Sequence, residues 1–206
     1  MSGLTEEEQI TLDSYNKLAK PWSDGHLVYD SWQEDLVEFQ KLLPKGSVLE
    51  IGCGGGRDAK TLIGAGYDYL GTDISDGLLT EARKNCPNGK FEQVSLYDLD
   101  FANSFNGFWC SGVLHHVPRE RIAEAMQAIK QSIKLGAVGF IATKEGSGEK
   151  MMQDPKYPGD NRLFVYWQDE EFRDLLASQG FEVLKFTYRP LSETTKWLIY
   201  FVRLIG

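Results

Sequence analysis

The residues best suited to chemistry lie in one glycine-rich stretch, residues 48–58. A short apolar run there contains Glu50, and Gly52, Gly54 and Gly56 follow before a helical pattern begins. Glycines are needed where the backbone must turn sharply and lie against a ligand with no Cβ in between. A strand, a tight loop and a helix start form the place where an open α/β sheet holds a nucleotide-like cofactor.

Two acids near this loop indicate which cofactor it suits. Asp73 lies 21 residues after Gly52, at the predicted end of the second strand, where a carboxylate accepts hydrogen bonds from both ribose hydroxyls of an adenosine cofactor. Glu50 would repel a pyrophosphate, whereas it would stabilise the sulfonium and ammonium of S-adenosylmethionine (SAM). Arg57 occupies the position expected for the third glycine of a dinucleotide fingerprint. These residues therefore favour SAM over a nicotinamide dinucleotide.

The elements that must position these residues alternate along the chain. Helices are predicted over residues 5–20 (ending at Pro21), 29–43, 57–65, 75–85 (with Ser75 as N-cap) and 119–134, and from Asp169 to Gly180. Strands are predicted over residues 47–51, 67–72, 91–96, 105–110, 138–143, 181–188 and 197–202. The alternation predicts a parallel sheet with helices on both faces. The last two strands are expected to pair antiparallel, and residues 144–161 to form a long loop.

The glycine-rich motif resembles that of the seven-stranded SAM-dependent methyltransferases. The matching residues are Glu50, Gly52, Cys53, Gly54, Gly56, Arg57 and Asp58. Within that family the chain is similar to a small bacterial branch (methyltransferase types 11 and 25) that is often linked by name to tellurite resistance. Residues 105–109, 114–118, 144–149 and 196–198, together with Arg162, extend the resemblance over nearly the whole chain. No residue of the sequence indicates that tellurium is a substrate.

The resemblance implies a fold and a domain organisation. The fold is α/β, a Rossmann-like, mostly parallel seven-stranded sheet with helices on both faces and a C-terminal antiparallel strand. We expect a single domain over residues 1–206, with an N-terminal helical lid in residues 1–44 and the core in residues 45–206.

The resemblance also implies roles for individual residues. The expected SAM-binding residues are Tyr15, Trp22, Glu50, Gly52, Cys53, Gly54, Arg57, Asp73, Ile74, Ser95, Leu96, Ser111 and Gly112. The loop residues should line the methionine part of SAM, and Arg57 should reach its carboxylate or brace the loop. Asp73 should hold the ribose and Ile74 should pack on the adenine. Tyr15 and Trp22 should fold over the cofactor.

Adenine recognition departs from the pattern of the family. Ser95 stands where an acid commonly reads the adenine amino group, so the Ser95 hydroxyl, the Leu96 backbone and the nearby Asp98 are alternatives. Ser111 and Gly112, after the fourth strand, are expected at the methionine end of SAM.

The catalytic residues are not fixed by the sequence. His115, His116 and Tyr15 are candidates, because histidine titrates near neutral pH and a base is needed only if the methyl acceptor must lose a proton. The alternative is that one histidine packs under the sheet and the other faces the cleft. No metal site is expected. Cys53 and Cys110 are expected to be small buried side chains.

The methyl acceptor is the least determined part. The aromatic residues Tyr157, Phe164, Tyr166 and Trp167 either line an acceptor pocket or form an edge strand packed on the sheet. Lys144 and Glu145 end the fifth strand, where ligands lie in open α/β folds, although a surface charge pair is the alternative.

The composition limits the kinds of partner that are expected. The formal charge of −8 and the pI near 5.0 argue against nucleic acid as an electrostatic partner. The three cysteines fit neither a disulfide framework nor a metal motif. A signal peptide is not apparent, and the apolar run at residues 197–202 is too short to span a membrane. A cytoplasmic protein is therefore expected, with its oligomeric state left open.

The predicted function is methyl transfer from SAM to a small-molecule acceptor, with S-adenosylhomocysteine as product. A SAM- or S-adenosylhomocysteine-binding sensor or partner protein without transferase activity is a rival hypothesis. A nicotinamide-dependent enzyme is a second rival, disfavoured by Glu50 and Arg57.

Overall fold

A seven-stranded sheet and six helices make up most of the computed structural model, which describes residues 3–27, 32–154, 156–193 and 195–206. The sheet contains β1 (Ser47–Ile51), β2 (Asp68–Asp73), β3 (Phe91–Gln93), β4 (Phe105–Ser111), β5 (Ile133–Lys144), β8 (Phe181–Pro190) and β9 (Lys196–Leu204). The helices are α1 (Glu6–His26), α2 (Gln33–Leu42), α3 (Arg57–Gly64), α4 (Asp76–Asn85), α5 (Ile122–Ser132) and α6 (Asp169–Ser178). Strands β6 (Glu149–Met152) and β7 (Arg162–Val165) pair antiparallel in a small second sheet.

The strand order of the main sheet is β3-β2-β1-β4-β5-β9-β8. Neighbouring strands from β3 to β5 pair parallel, whereas β9 pairs antiparallel with both β5 and β8. The predicted mostly parallel sheet with an antiparallel C-terminal end is therefore confirmed. The order of the strands reverses between β1 and β4, so the loops after these two strands diverge and leave a crevice at their carboxyl ends.

Buried side chains cover both faces of this sheet. Leu49 and Ile51 of β1 point into one core, while Val48 points into the other, as the alternation of side chains along a strand requires. In the second core, Trp109 stacks on Phe140 with ring centroids 3.8 Å apart. The two packed layers fix the carboxyl ends of the strands, where the site is built.

The predicted end of the first helix at Pro21 is wrong, because α1 continues to His26. Proline inside a helix removes a backbone hydrogen bond, but one contact from α4 and one within α1 hold the following turn. The Asn85 side chain donates a hydrogen bond to Ser23 Oγ (3.0 Å), and the Trp22 ring stacks on His26 with centroids 4.0 Å apart. These contacts offset the local cost of the proline.

Other boundaries also differ from the prediction, and the strand expected over residues 91–96 ends at Gln93 because a 3-10 turn begins at Leu96. The expected loop over residues 144–161 contains β6, which pairs with β7. The helix expected over residues 119–134 begins as a 3-10 turn and ends at Ser132, because Ile133 already pairs with Phe105 as part of β5. The second helix begins at Gln33, and the part of its prediction over residues 29–31 lies outside the described residues.

Candidate functional site

The loop after β1 has a backbone that only glycine adopts easily. Gly52, Gly54 and Gly56 have φ of +67°, +53° and +81°, in the left-handed region. A Cβ on Gly52 would lie 2.3 Å from Val113 Cγ2, and one on Gly54 would lie 3.1 Å from Trp22 Cζ3. The loop is therefore a tight turn that neighbouring side chains approach closely, leading directly into α3.

Asp73 ends β2 as a buried carboxylate joined to this loop. Its Oδ2 accepts a hydrogen bond from the Gly54 N–H (2.8 Å), and its Oδ1 accepts one from the Ser75 N–H (2.8 Å). Burial raises the pKa of the carboxyl, although these backbone donors oppose the rise. Each carboxylate oxygen has a second lone pair, so Asp73 can hold the loop and still accept hydrogen bonds from a ligand.

A cavity of about 840 Å³ opens at the carboxyl ends of β1, β2, β4 and β5, beneath α1. Its volume is within the range of small-molecule sites. Most of the residues predicted to bind the cofactor line it, namely Tyr15, Trp22, Gly52, Gly54, Arg57, Asp73, Ile74, Ser95, Leu96, Ser111 and Gly112. His115 and His116 also line it. The fold thus brings these distant segments to one cavity.

Glu50 and Cys53 do not line this cavity. The Glu50 side chain is buried on the face of β1 that carries Val48, and its carboxyl accepts a hydrogen bond from the Tyr69 hydroxyl. Burial raises the pKa of Glu50 well above its usual value, and the nearby Asp58 carboxylate raises it further. The structure therefore does not bring Glu50 to the cavity as the charged group that the sequence argument assumed. Cys53 is buried, and burial raises the pKa of its thiol.

Arg57 was predicted either to reach the SAM carboxylate or to brace the loop. Its guanidinium makes two hydrogen bonds with Asp58, from Nε to Oδ1 (2.6 Å) and from Nη2 to Oδ2 (2.9 Å), while it also lines the cavity. The indole N–H of Trp109 donates to the same Asp58 (3.1 Å). The pair therefore braces the start of α3, and Arg57 is at the same time one of the residues that line the cavity.

The segment after β3 provides the far wall. Ser95 caps the 3-10 turn Leu96–Asp98, with its Oγ accepting from the Tyr97 N–H (3.3 Å). Ser95 and Leu96 line the cavity, whereas Asp98 does not. Of the three alternatives for adenine recognition, the first two therefore lie at the cavity and the third does not.

Helix α1 closes the cavity from above. Asn16 Oδ1 accepts hydrogen bonds from Ser75 Oγ (2.7 Å) and the Gly77 N–H (3.2 Å). Further along the helix, the edge of Tyr15 packs against Trp22 with ring centroids 5.5 Å apart. Helix α1 is thus anchored on α4, and its aromatic residues lie over the glycine loop.

Tyr15, His116 and Arg162 form one hydrogen-bonded chain. His116 Nδ1 contacts the Leu163 carbonyl, which can only accept, so Nδ1 carries the proton and Nε2 accepts from the Tyr15 hydroxyl (2.8 Å). The Tyr15 oxygen in turn accepts from Arg162 Nη1 (2.9 Å). Burial lowers the pKa of His116 to about 3, so this imidazole is neutral at physiological pH.

Sequence reasoning did not include Arg162, Trp32 and Trp197 among the site residues, but all three line the cavity. A signal for Arg162 and Trp197 existed, because both belong to the segments that extend the resemblance to the methyltransferase family. Of the four aromatic residues that were candidates for an acceptor pocket, two, Tyr157 and Phe164, line the cavity. The other two members, Tyr166 and Trp167, are not among its lining residues.

This architecture, a parallel sheet with a glycine turn after β1 and an acid after β2, is the α/β fold of the SAM-dependent methyltransferases. Residues 48–136 match the family model described as "Methyltransferase domain". The resemblance predicted from the sequence is thereby confirmed.

Two curated relatives illustrate the similarity. The "Ubiquinone biosynthesis O-methyltransferase" of Hydrogenovibrio crunogenus is 27% identical over 64% of this chain and 59% of its own length. The "Probable S-adenosyl-L-methionine-dependent methyltransferase TehB" of Haemophilus influenzae is 23% identical over 87% of this chain and 65% of its own length. The chain therefore spans about three fifths to two thirds of the length of these relatives.

A solved structure shares the fold over the full chain. It is the 1,6-didemethyltoxoflavin-N1-methyltransferase of Burkholderia thailandensis with bound 1,6-didemethyltoxoflavin and S-adenosylhomocysteine. The TM-score is 0.79 at 16% identity, covering 100% of this chain and 93% of that one.

None of the helices in the part of the chain that the structure describes is long and apolar enough to cross a membrane.

Proposed function

We propose that this protein transfers a methyl group from SAM to a small-molecule acceptor and releases S-adenosylhomocysteine. The observation that carries the proposal is the buried Asp73 carboxylate, which is fixed by the Gly54 and Ser75 N–H groups and lines the cavity beside the glycine loop. Its remaining lone pairs suit the two ribose hydroxyls of an adenosyl group.

The residues of the cavity fit SAM along its whole length. Ile74, Ser95 and Leu96 would surround the adenine, and Asp73 would hold the ribose. The backbone of Gly52 and Gly54 would lie against the methionine part, and Arg57, which also lines the cavity, would lie near its carboxylate. Because Glu50 is buried outside the cavity, the proposal does not depend on its charge.

SAM, when bound, supplies a methyl group on a sulfonium that serves as its own leaving group. The protein's contribution is then to align the acceptor and to exclude water. We assign the second task to α1, whose Tyr15 and Trp22 cover the glycine loop. In this proposal residues 1–44 act as a lid on a core of residues 45–206, and lid opening admits the ligands.

Tyr15 and His116 would position the acceptor. The neutral His116 uses Nδ1 on a carbonyl and Nε2 on Tyr15, and its pKa of about 3 makes it a weak base. Its role in the proposal is therefore to hold the Tyr15 hydroxyl at the cavity wall.

Calorimetric titration with S-adenosylhomocysteine, NAD and NADP tests the cofactor. We expect binding of S-adenosylhomocysteine alone, and its failure to bind would refute the proposal. Incubation with methyl-labelled SAM and a panel of phenols, amines, thiols and oxyanions then tests transfer. A sensor or partner protein would bind S-adenosylhomocysteine but transfer no label to any acceptor.

A further inference from the structure

Lys144 lines the cavity at a distance from Asp73, the proposed ribose-binding residue. Lys144 ends β5, whereas Asp73 ends β2, and three strand spacings separate these strands in the order β2-β1-β4-β5. At about 4.8 Å per spacing, the two strand ends are roughly 14 Å apart. Lys144 therefore belongs to the end of the cavity where the acceptor, not the ribose, would bind.

The acids near Lys144 are engaged by other cations. Glu145 pairs with Lys196 (3.6 Å), and Asp154 lies 3.7 Å from Arg162. Asp160 pairs with Arg162 at 2.7 Å. Within the described ranges, no carboxylate oxygen lies within 4.0 Å of Lys144 Nζ.

Aromatic rings, rather than anions, surround the ammonium. Nζ lies 4.4 Å from the centre of the Phe164 ring and 5.8 Å from that of Trp197. His115 stacks parallel to Phe164, with centroids 5.6 Å apart and an interplanar angle of 7°. Flat apolar walls suit a planar ligand, and an ammonium between them suits a negative charge on that ligand.

Burial also affects the charge of Lys144. It lowers the pKa of the amine to about 8, with the Arg162 charge lowering it further and Asp154 opposing. A group that is costly to keep charged in the free protein gains most from an anionic partner.

We propose that the methyl acceptor is a planar aromatic molecule with an ionisable hydroxyl, namely a phenol or its heteroaromatic equivalent. It binds as its anion, with the charged oxygen on Lys144. This inference rests on the proposed function. The planar body lies against Phe164 and Trp197. An oxygen held in this way keeps a lone pair directed away from the lysine for the methyl carbon.

The stoichiometry of the reaction is consistent with this arrangement. The acceptor oxygen forms the new O–C bond, the C–S bond breaks, and its electron pair stays on sulfur. The hydroxyl proton leaves before transfer, either to the amine form of Lys144 or to water. Lys144 thus favours the ionised acceptor without any added base.

The test compares three phenols with their own methyl ethers as ligands of the S-adenosylhomocysteine complex: 4-nitrophenol, 4-hydroxybenzaldehyde and 4-hydroxyquinoline. Calorimetry gives the affinities, and the visible absorbance of the 4-nitrophenolate anion reports its ionisation state. The variants are Lys144→Met and Lys150→Met. Lys150 is a matched control because it also lies over a ring (Tyr166, 5.5 Å) but is exposed and outside the cavity.

We expect the wild type and Lys150→Met to bind at least one phenol about tenfold or more tightly than its ether, and to raise the anion fraction of 4-nitrophenol. Lys144→Met should lose both effects and keep its affinity for S-adenosylhomocysteine. Equal binding of every phenol and ether, or no binding of either, would overturn the proposal. Weaker S-adenosylhomocysteine binding by Lys144→Met alone would instead place Lys144 on the SAM carboxylate, which also overturns it. Loss of S-adenosylhomocysteine binding by the wild type would instead refute the proposed function.

Discussion

Replacing Asp73 by asparagine tests the centre of the proposed cofactor site. The substitution keeps one acceptor oxygen and replaces the other by an NH₂ group. That group must face either the Gly54 N–H or the Ser75 N–H, both of which now donate to the carboxylate at 2.8 Å. One backbone donor is thereby left without an acceptor, and one ribose hydroxyl loses a charged acceptor.

The structure sets the size of both effects. A hydrogen bond to a charged group contributes about 1.5–3 kcal/mol, so the affinity for S-adenosylhomocysteine should fall about 10- to 100-fold. A buried unsatisfied N–H costs about 1–3 kcal/mol, so the free energy of unfolding should fall by a similar amount. The loss of affinity is the functional effect, and the loss of stability is the structural one.

Calorimetry with S-adenosylhomocysteine and urea unfolding separate these two effects. Asp68→Asn is the control, since Asp68 begins the same strand, is exposed and pairs with Lys90 at 3.2 Å on the surface. It should change both quantities little, because exposed ion pairs contribute about 0–1 kcal/mol. If Asp73→Asn folded and bound S-adenosylhomocysteine as tightly as the wild type, the ribose role of Asp73 would be wrong.

The remaining predictions concern the Tyr15 network. Tyr15→Phe leaves His116 Nε2 and Arg162 Nη1 each without a partner, so the free energy of unfolding should fall by about 1–3 kcal/mol. Urea titration measures this, and an unchanged midpoint would show that water replaces the hydroxyl. The second prediction is acid lability. The folded pKa of His116 is lowered from 6.5 to about 3, so between these values the unfolded chain binds a proton that the folded chain does not. The free energy of unfolding therefore decreases as the pH is lowered below 6.5, and this group accounts for a loss of about 2 kcal/mol from pH 7 to pH 5. Urea unfolding at the two pH values tests it, and His116→Gln should lose less stability over the same interval.

The sequence determined the sheet and its order of elements. The alternation of apolar runs and helical patterns, with glycines at the turns, indicated a parallel sheet ending in an antiparallel pair, and β1 has the predicted bounds. Ser75 caps α4 as its residue type suggested, with its Oγ accepting from the Leu78 N–H at 3.1 Å. These features depend on local backbone preference and periodicity, which a sequence displays directly.

Local rules failed where distant contacts outweighed them. Pro21 predicted a helix end, yet the hydrogen bond from Asn85 of α4 to Ser23 helps to hold the next turn in helical form. The strand β6 was hidden in a stretch rich in glycine and charge, because its partner β7 supplies the pairing. An edge strand near Phe164 was one of the alternatives that the sequence left open, but its pairing with residues 149–152 is not visible in the local pattern.

The site shows the same division. The sequence alone identified the glycine loop and Asp73, since a left-handed turn needs glycine and the spacing places the acid at the end of β2. Only the tertiary structure decided that Glu50 bonds to Tyr69 outside the cavity and that Lys144 lies among aromatic rings at its far end. The physical reason is that residue type and spacing fix where a side chain begins, whereas its partner and its exposure to water depend on which other elements pack against it.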